Sequence, residues 1–411
     1  MQRALDQILR RLITQGRLTV RWPDGGTATY AAGPGPRAAL AFASPATVRR
    51  LVLDPALAFG EAYMDGTLTP VECGIYDVLD VLTANLGVRG RAHPALQLRT
   101  LLGRLSRRFA QFNPARRARR NAAHHYDLSG RLYSLFLDRD RQYSCAYFRT
   151  GSETLEEAQA AKKRHIAAKL LLDRPNMTVL DIGSGWGGLA LTLARDYGAR
   201  VVGITLSAEQ LADTRARAEA EGLADRVTFE LLDYRMMNSR FDRIVSVGMF
   251  EHVGVVHYRA FFDVVQRCLA PDGVALLHTI GRSDGPASTN PWLAKYIFPG
   301  GYSPALSEVL PPIERAGLVV TDVEVLRLHY AETLRHWRRR FAANRDTIAA
   351  LYDERFCRMF EFYLAGSELA FRRQGHVNFQ LQLAREQSAV PLIRDYVAEA
   401  ERLPVPLRQH A

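Results

Sequence analysis

The spacing of apolar positions changes along this chain, and each change marks an element. Near the N-terminus Leu5, Ile8, Leu9, Leu12 and Ile13 recur at helical spacing among Arg3, Arg10 and Arg11. Two short alternating runs, Arg17–Arg21 and Thr27–Tyr30, flank Asp24-Gly25-Gly26 and predict a β-hairpin. Ala39–Phe42 predicts another strand, and Leu51–Gly60 a short helical piece that ends in the turn Glu61-Ala62-Tyr63-Met64-Asp65-Gly66. Ile75–Asn85 predicts a helix. Residues 86–121 break the pattern with Gly87, Gly90, Pro94 and Gly103 and predict a linker with a basic second half. Gly130–Leu137 and Thr154–Leu172 return to helical spacing, the latter with its Lys and Arg residues on the face expected to meet solvent. Short apolar runs at Val179–Ile182, Ala199–Ile204, Val227–Leu231, Phe241–Gly248 and Gly273–Ile280 then alternate with helical segments. That alternation predicts a doubly wound, mostly parallel α/β sheet. Residues 281–304 interrupt it with an insert rich in Gly, Pro and aromatics, a length more often functional than structural. Leu306–Ala316 predicts a helix and Leu318–Leu326 a strand; after His329-Tyr330, two long helical stretches run to about Arg373.

The most informative boundary is Val179-Leu180-Asp181-Ile182-Gly183-Ser184-Gly185-Trp186-Gly187-Gly188. A strand meets a glycine turn, and a helix, Leu189–Tyr197, follows at once. Such a turn lets a ligand approach the main chain and points the free N–H groups of a helix start at it. A dinucleotide site of this kind places an acid at the tip of the second strand, about 20 residues on. Here that strand runs into Thr205-Leu206-Ser207, which counts against NAD. Asp233-Tyr234 and Met249-Phe250-Glu251-His252 follow later strands, and polar or acidic tips suit a small cationic adenosine ligand such as S-adenosylmethionine.

Composition narrows the class. The chain has 411 residues, enough for two domains, and its 47% hydrophobic and 24% charged content is that of a globular protein. No apolar run approaches the length of a membrane span, and Met1–Leu18 lacks the apolar core of a secretory signal. Cys73, Cys145, Cys268 and Cys357 are scattered without metal-ligand spacing, so no metal site is expected and the thiols are read as free in a reducing cytoplasm. The net charge of +11 fits a polyanionic partner, either nucleic acid or an anionic membrane surface. One basic cluster is Arg104, Arg107, Arg108, Arg116, Arg117, Arg119 and Arg120, with Phe109 and Phe112 among them. A second is Arg335, Arg338, Arg339 and Arg340 around Trp337. No nucleic-acid module is present to favour that partner.

Several segments together carry a resemblance. His125-Tyr126-Asp127-Leu128, Tyr143-Ser144-Cys145-Ala146-Tyr147-Phe148, Gly183-Ser184-Gly185-Trp186-Gly187, Thr205-Leu206-Ser207 with Gln210, Phe250-Glu251-His252, His278-Thr279-Ile280 and His329-Tyr330 occur in one order. This set resembles the cyclopropane-fatty-acyl-phospholipid synthases and the mycolic acid cyclopropane synthases over about residues 120–385. Gly60-Glu61-Ala62-Tyr63-Met64-Asp65-Gly66 is similar to the extra domain of the phospholipid-acting branch. The resemblance implies a Rossmann-like class I methyltransferase sheet of seven mostly parallel strands with helical and aromatic lid insertions, plus a small α+β N-terminal domain. It implies residues 1–85 as a lipid-associated domain, 86–121 as a basic linker and 122–395 as the catalytic domain. It further implies methyl transfer from S-adenosylmethionine to a cis double bond of a phospholipid acyl chain, with bound bicarbonate as the base that lets a cyclopropane ring close. The related alternative is a methylene or methyl-branched product. The enzyme is expected in the cytoplasm, peripheral at the inner face of the membrane, and such enzymes are often homodimers.

By the same resemblance, Asp181, Gly183, Gly185 and Trp186 would cradle the methionine and ribose part of the cofactor. Thr205, Leu206 and Gln210 would hold the adenosine end, with Asp233 and Tyr234 near the adenine, and Tyr126, Tyr143 and Ser144 would close the pocket. Cys145, Glu251, His278, Ile280 through its backbone, and Tyr330 would form the bicarbonate pocket. Taken singly, these residues have plain roles available: Cys145 as a small buried hydrophobe, Glu251-His252 as a helix start, His278 as a satisfied core histidine, Tyr330 as a packing partner of Trp337. The family often has a second active-site cysteine in the C-terminal helical part, where this chain has Ser367.

Overall fold

The computed structural model describes residues 1–87 and 130–403. Tyr126, the arginine cluster from Arg104 to Arg120 and all but the first two residues of the expected linker lie outside the described residues. The described chain forms two compact units.

The first unit takes in residues 1–87 together with Ala287–Pro299 and Ala331–His376. Its sheet holds β1 (Gly16–Arg21), β2 (Thr27–Ala32), β3 (Arg37–Phe42) and β4 (Leu68–Pro70) in the order β2-β1-β3-β4. The β1–β2 pair is the expected hairpin, whereas β1 and β3 run parallel. The single helical piece expected at Leu51–Gly60 is two helices, Pro45–Leu53 and Pro55–Met64. Pro55 has no N–H to continue the first helix and a fixed φ suited to starting the second. The two expected C-terminal stretches are three helices, His329–Ala343, Arg345–Leu351 and Glu354–Arg373. Tyr352 is the C-cap of the second, and Asp353 caps the third, its Oδ1 accepting the Phe356 N–H at 2.6 Å.

The middle of the aromatic insert packs inside this unit. Trp292 is buried, its ring edge-on to Phe362 with centroids 4.6 Å apart and its Nε1 3.2 Å from Met64 Sδ. Glu61 accepts from Lys295 Nζ at 2.7 Å and from the Tyr296 hydroxyl at 2.8 Å. The Gly60-Glu61 motif is therefore a seat for this insert. The second arginine cluster is half-buried and largely paired. Trp337 is buried, Arg335 pairs with Glu332, and Arg338 pairs with the buried Glu368 while its guanidinium lies 4.1 Å from the Tyr76 ring centre. Of these arginines, Arg339 is the exposed one.

The second unit is the doubly wound α/β fold. Its sheet holds β5 (Thr178–Ile182), β6 (Arg200–Thr205), β7 (Val227–Leu231), β8 (Phe241–Val247), β9 (Leu269–Arg282), β10 (Val319–Val325) and β11 (His376–Ala384). The order is β10-β11-β9-β8-β5-β6-β7. The five strands β5 to β9 pair in parallel, and β11 runs antiparallel to β10. Val179, Leu180 and Ile182 are buried because helices cover both faces of a parallel sheet. Strand order reverses between β5 and β8, which opens a crevice at their carboxyl ends. The helix Leu155–Lys169 is capped by Thr154 and Glu157 as a capping box. Its basic residues do not form the expected solvent face: Lys162, Lys163 and Lys169 are all buried. Among the described residues, no helix is long and apolar enough to cross a membrane.

Candidate active site

A single cavity collects the strand tips of the second unit. Its walls include Asp181 near the end of β5 with Gly183, Gly185 and Trp186 beyond it, Thr205 at the end of β6 with Leu206 and Gln210 beyond it, Asp233 and Tyr234 after β7, and Tyr143 and Ser144 from the segment before the helix Leu155–Lys169. Every described residue expected to hold the cofactor lines this cavity. Gly183 sits at φ +84°, and a Cβ there would meet Met249 Cβ at 2.7 Å, so only glycine fits the turn. Thr205 Oγ1 donates to Gln210 Oε1 at 2.8 Å, which ties the tip of β6 to the following helix. Asp233 forms a two-point pair with Arg235 at 2.9 and 2.7 Å. Burial pushes the Tyr234 hydroxyl up to about 12, so it stays protonated.

Two buried polar atoms of the wall have no partner among the described residues: Asp181 Oδ2, an acceptor, and Trp186 Nε1, a donor. Burial pushes the Asp181 carboxyl up to about 7. A ligand that brings both a cation and hydrogen-bond acceptors, as the amino-acid end of S-adenosylmethionine does, satisfies both atoms.

Sequence reasoning missed part of the wall, including Arg141, Gln142, Gly248, Met249 and His252. Arg141 occupies the left-handed region at φ +53°, and its guanidinium lies 4.5 Å from the Trp186 ring centre. His252 stood within the Phe250-Glu251-His252 motif without a role. Burial lowers it to about 4, so it faces the cavity as a neutral imidazole.

The second expected set is only partly assembled. Glu251 Oε1 accepts the Ile280 N–H at 2.6 Å, and Oε2 is buried without a hydrogen-bond partner among the described residues. Burial, only partly offset by that hydrogen bond, raises the Glu251 carboxyl to about 7. The Ile280 N–H is thus committed to Glu251. His278 has both ring nitrogens engaged by side-chain amides of β11, Nε2 by that of Asn378 at 2.6 Å and Nδ1 by that of Gln380 at 3.1 Å; burial holds it neutral, so one ring nitrogen accepts from an amide NH2 and the other donates to an amide oxygen. No ring nitrogen is left for the direct donation to bicarbonate expected of it. Asn378 and Gln380 alternate with Val377, Phe379 and Leu381 along β11, a pattern that marks two polar side chains on one face of a strand. Cys145 is fully buried, its thiol donating to the Ala146 carbonyl at 3.3 Å. Tyr330 is buried at the start of its helix. Its neighbour His329 stacks on Tyr147 at 4.9 Å, and the other face of Tyr147 stacks on His165 at 4.3 Å. None of the five, Cys145, Glu251, His278, Ile280 and Tyr330, is in the cavity wall; Met249 and His252, which flank Phe250-Glu251, are.

The mycolic acid cyclopropane synthetase family matches residues 113–381, well over half of the chain. This chain belongs to that family. Residues 4–87 match a separate family described as a domain of unknown function, DUF7884. The cyclopropane-fatty-acyl-phospholipid synthase of Escherichia coli strain K12 is 42% identical over 344 residues, 83% of this chain and 86% of its own length. The tuberculostearic acid methyltransferase of Mycobacterium tuberculosis is 37% identical over 401 residues, 93% of this chain and 91% of its own. Among solved structures, the mycolic acid cyclopropane synthase CmaA1 complexed with SAH and CTAB superposes with a TM-score of 0.61 at 34% identity, covering 66% of this chain and 99% of that one. The fold is the class I S-adenosylmethionine-dependent methyltransferase fold, and the chain is a methyltransferase of this family.

Proposed function

We propose that this enzyme transfers a methyl group from S-adenosylmethionine to a cis double bond in an acyl chain of a membrane phospholipid and that a cyclopropane ring then closes. The observation that carries the reading is Glu251, a buried carboxyl poised near neutral pH beside residues of the cavity wall, with one oxygen held and one unpartnered among the described residues. An alkene is a weak nucleophile, so it needs an aligned electrophile in a dry site. When bound, S-adenosylmethionine supplies that electrophile as a methyl group on a sulfonium. Asp181 would take its ammonium group, Trp186 would donate to an acceptor atom of its amino-acid end, and Thr205, Leu206, Gln210, Asp233 and Tyr234 would hold its adenosine end. Glu251 would accept a proton by way of a bound bicarbonate, with Cys145 and Tyr330 as further contacts of that ion. Ile280 would act by holding Glu251 through its N–H. His278 would act at one remove, through Asn378 and Gln380.

A second reading, a methylene or methyl-branched product, is favoured by the relative named as a tuberculostearic acid methyltransferase, which aligns over 93% of this chain. Ser367, where the family often has cysteine, is either a harmless swap or the mark of a different fate for the carbocation. The net charge of +11 supports work at an anionic membrane surface, with residues 1–85 as the lipid-associated part and 122–395 as the catalytic part.

The test is proton NMR of acyl chains extracted after incubation with S-adenosylmethionine, bicarbonate and vesicles of cis-unsaturated phospholipid. High-field cyclopropane signals are expected. Vinyl signals on methylated chains establish the second reading, and no cofactor binding overturns both.

A further inference from the structure

Lys162 is completely buried in the middle of the helix Leu155–Lys169, a position that lysine rarely occupies without a carboxylate. Among the described residues, no carboxylate lies within ion-pair distance of it. Its Nζ donates instead to two neutral acceptors, Gln142 Oε1 at 2.6 Å and Ser144 Oγ at 2.9 Å. Both of those residues line the cavity. One turn earlier on the same helix, Gln159 Nε2 donates to the Gln142 carbonyl at 3.3 Å and to the Ser144 carbonyl at 3.0 Å. The helix therefore takes up acceptor groups of this segment from behind.

The consequence follows from donor arithmetic. An ammonium has three donors and no acceptor, so Ser144 must accept from it. The hydroxyl hydrogen of Ser144 is then directed away from Lys162. Gln142 is oriented in the same way: its Oε1 is held by Lys162, and its Nε2 has one hydrogen on Asp140 Oδ2 at 3.2 Å and a second to give. This wall therefore offers donors, backed by a buried positive charge.

We propose that Lys162 is a positioning residue that makes the Gln142–Ser144 wall a carboxylate-recognition element, so that the site selects a cofactor that retains the carboxylate of its methionine part. The inference rests on the S-adenosylmethionine reading above. It adds which end of the ligand this wall reads and which residue sets it.

The test is calorimetric binding of two probes to the whole protein, S-adenosylhomocysteine and its decarboxylated analogue. Both carry the amino group, so Asp181 acts on both and cancels in their ratio. The native protein is expected to prefer the carboxylate-bearing probe by about tenfold or more, the scale of a hydrogen bond to a charged group. Lys162→Met and Ser144→Ala are expected to lose most of that preference while holding the decarboxylated probe within about twofold. A merely structural lysine would weaken both probes equally, and an unchanged ratio in Ser144→Ala overturns the proposal even where Lys162→Met fails to fold. The ratio should also fall in the native protein as pH rises through about 8, where burial places the Lys162 ammonium. The groups facing it are Asp138, Asp140, Cys145, Lys163, Asp181 and His278. Equal binding of both probes by the native protein sinks the role of Lys162 alone. Binding of neither sinks the cofactor reading and this proposal with it.

Discussion

The Glu251 carboxylate accepts the Ile280 N–H at 2.6 Å, and its second oxygen is buried with no hydrogen-bond partner among the described residues. The main chain of β9 thus aims a carboxyl that burial has raised to about 7. Glu251→Gln keeps the shape and removes the proton acceptor. Turnover is expected to fall by roughly 10²–10⁴ with binding of S-adenosylhomocysteine retained. In the native enzyme kcat/KM should drop as pH falls below about 7, because protonated Glu251 accepts no further proton. Residual activity of the variant should lack that limb; an unchanged rate or an unchanged limb would remove Glu251 from the chemistry.

Asp181 shows a cost of the site in stability. Its folded value is raised from 3.8 to about 7 by burial, so its contribution to stability is complete below about 3.8 and is lost as pH rises to about 7. Asp181→Asn removes the buried charge. It should stabilise the protein by roughly 1–3 kcal/mol at pH 8 in denaturant titrations, with a smaller gain at pH 5. The same variant should bind S-adenosylhomocysteine at least about tenfold more weakly. A variant that binds normally would show that the unpartnered Oδ2 has no ligand to meet.

His165 has the opposite origin and the same sign. Its ring bonds Glu401 at 2.7 Å and Glu324 at 2.8 Å, and these partners outweigh burial and raise it above 6.5. A raised histidine contributes stability that is full below 6.5 and lost as pH rises through its folded value. Lys169, Asp322 and Arg394 complete the charged surroundings. The melting temperature should therefore decline from pH 6.5 to 8.5, and His165→Gln should flatten that slope while costing about 1–2 kcal/mol at pH 6. Parallel slopes in the two proteins would contradict this account.

Gly60 has no room for a side chain because the Trp292 indole lies against it. Gly60→Ala should destabilise the first unit by roughly 1–3 kcal/mol, and Trp292 fluorescence should report a more polar surrounding. Unaltered fluorescence and stability would show that the aromatic insert adjusts freely on its seat.

The parts of this protein legible in the sequence were those set by local rules. Strand–turn–helix at Asp181–Tyr197 depends on glycines with positive φ and on an apolar run long enough for a buried strand, and both are visible residue by residue. The strand tips with polar residues follow from the same alternation, which is why the described cofactor-site residues converge on one cavity. The break at Pro55 was equally local, and reading a single helix across it missed what proline does to the chain.

What the sequence by itself determined was the alternation of elements, the glycine turn and the chemical identity of the groups at the strand ends, because each depends on neighbours along the chain. Only the tertiary structure decided which polar groups were already spent. His278 looked free to donate until β11 brought Asn378 and Gln380 to both of its nitrogens from 100 and 102 residues away. Lys162, Lys163 and Lys169 looked like a solvated stripe until the Gln142–Ser144 segment, Asp140 and the acids of β10 folded against them. Hydrogen-bond capacity is consumed by partners distant in sequence, and burial sets the charge state only after those partners are in place.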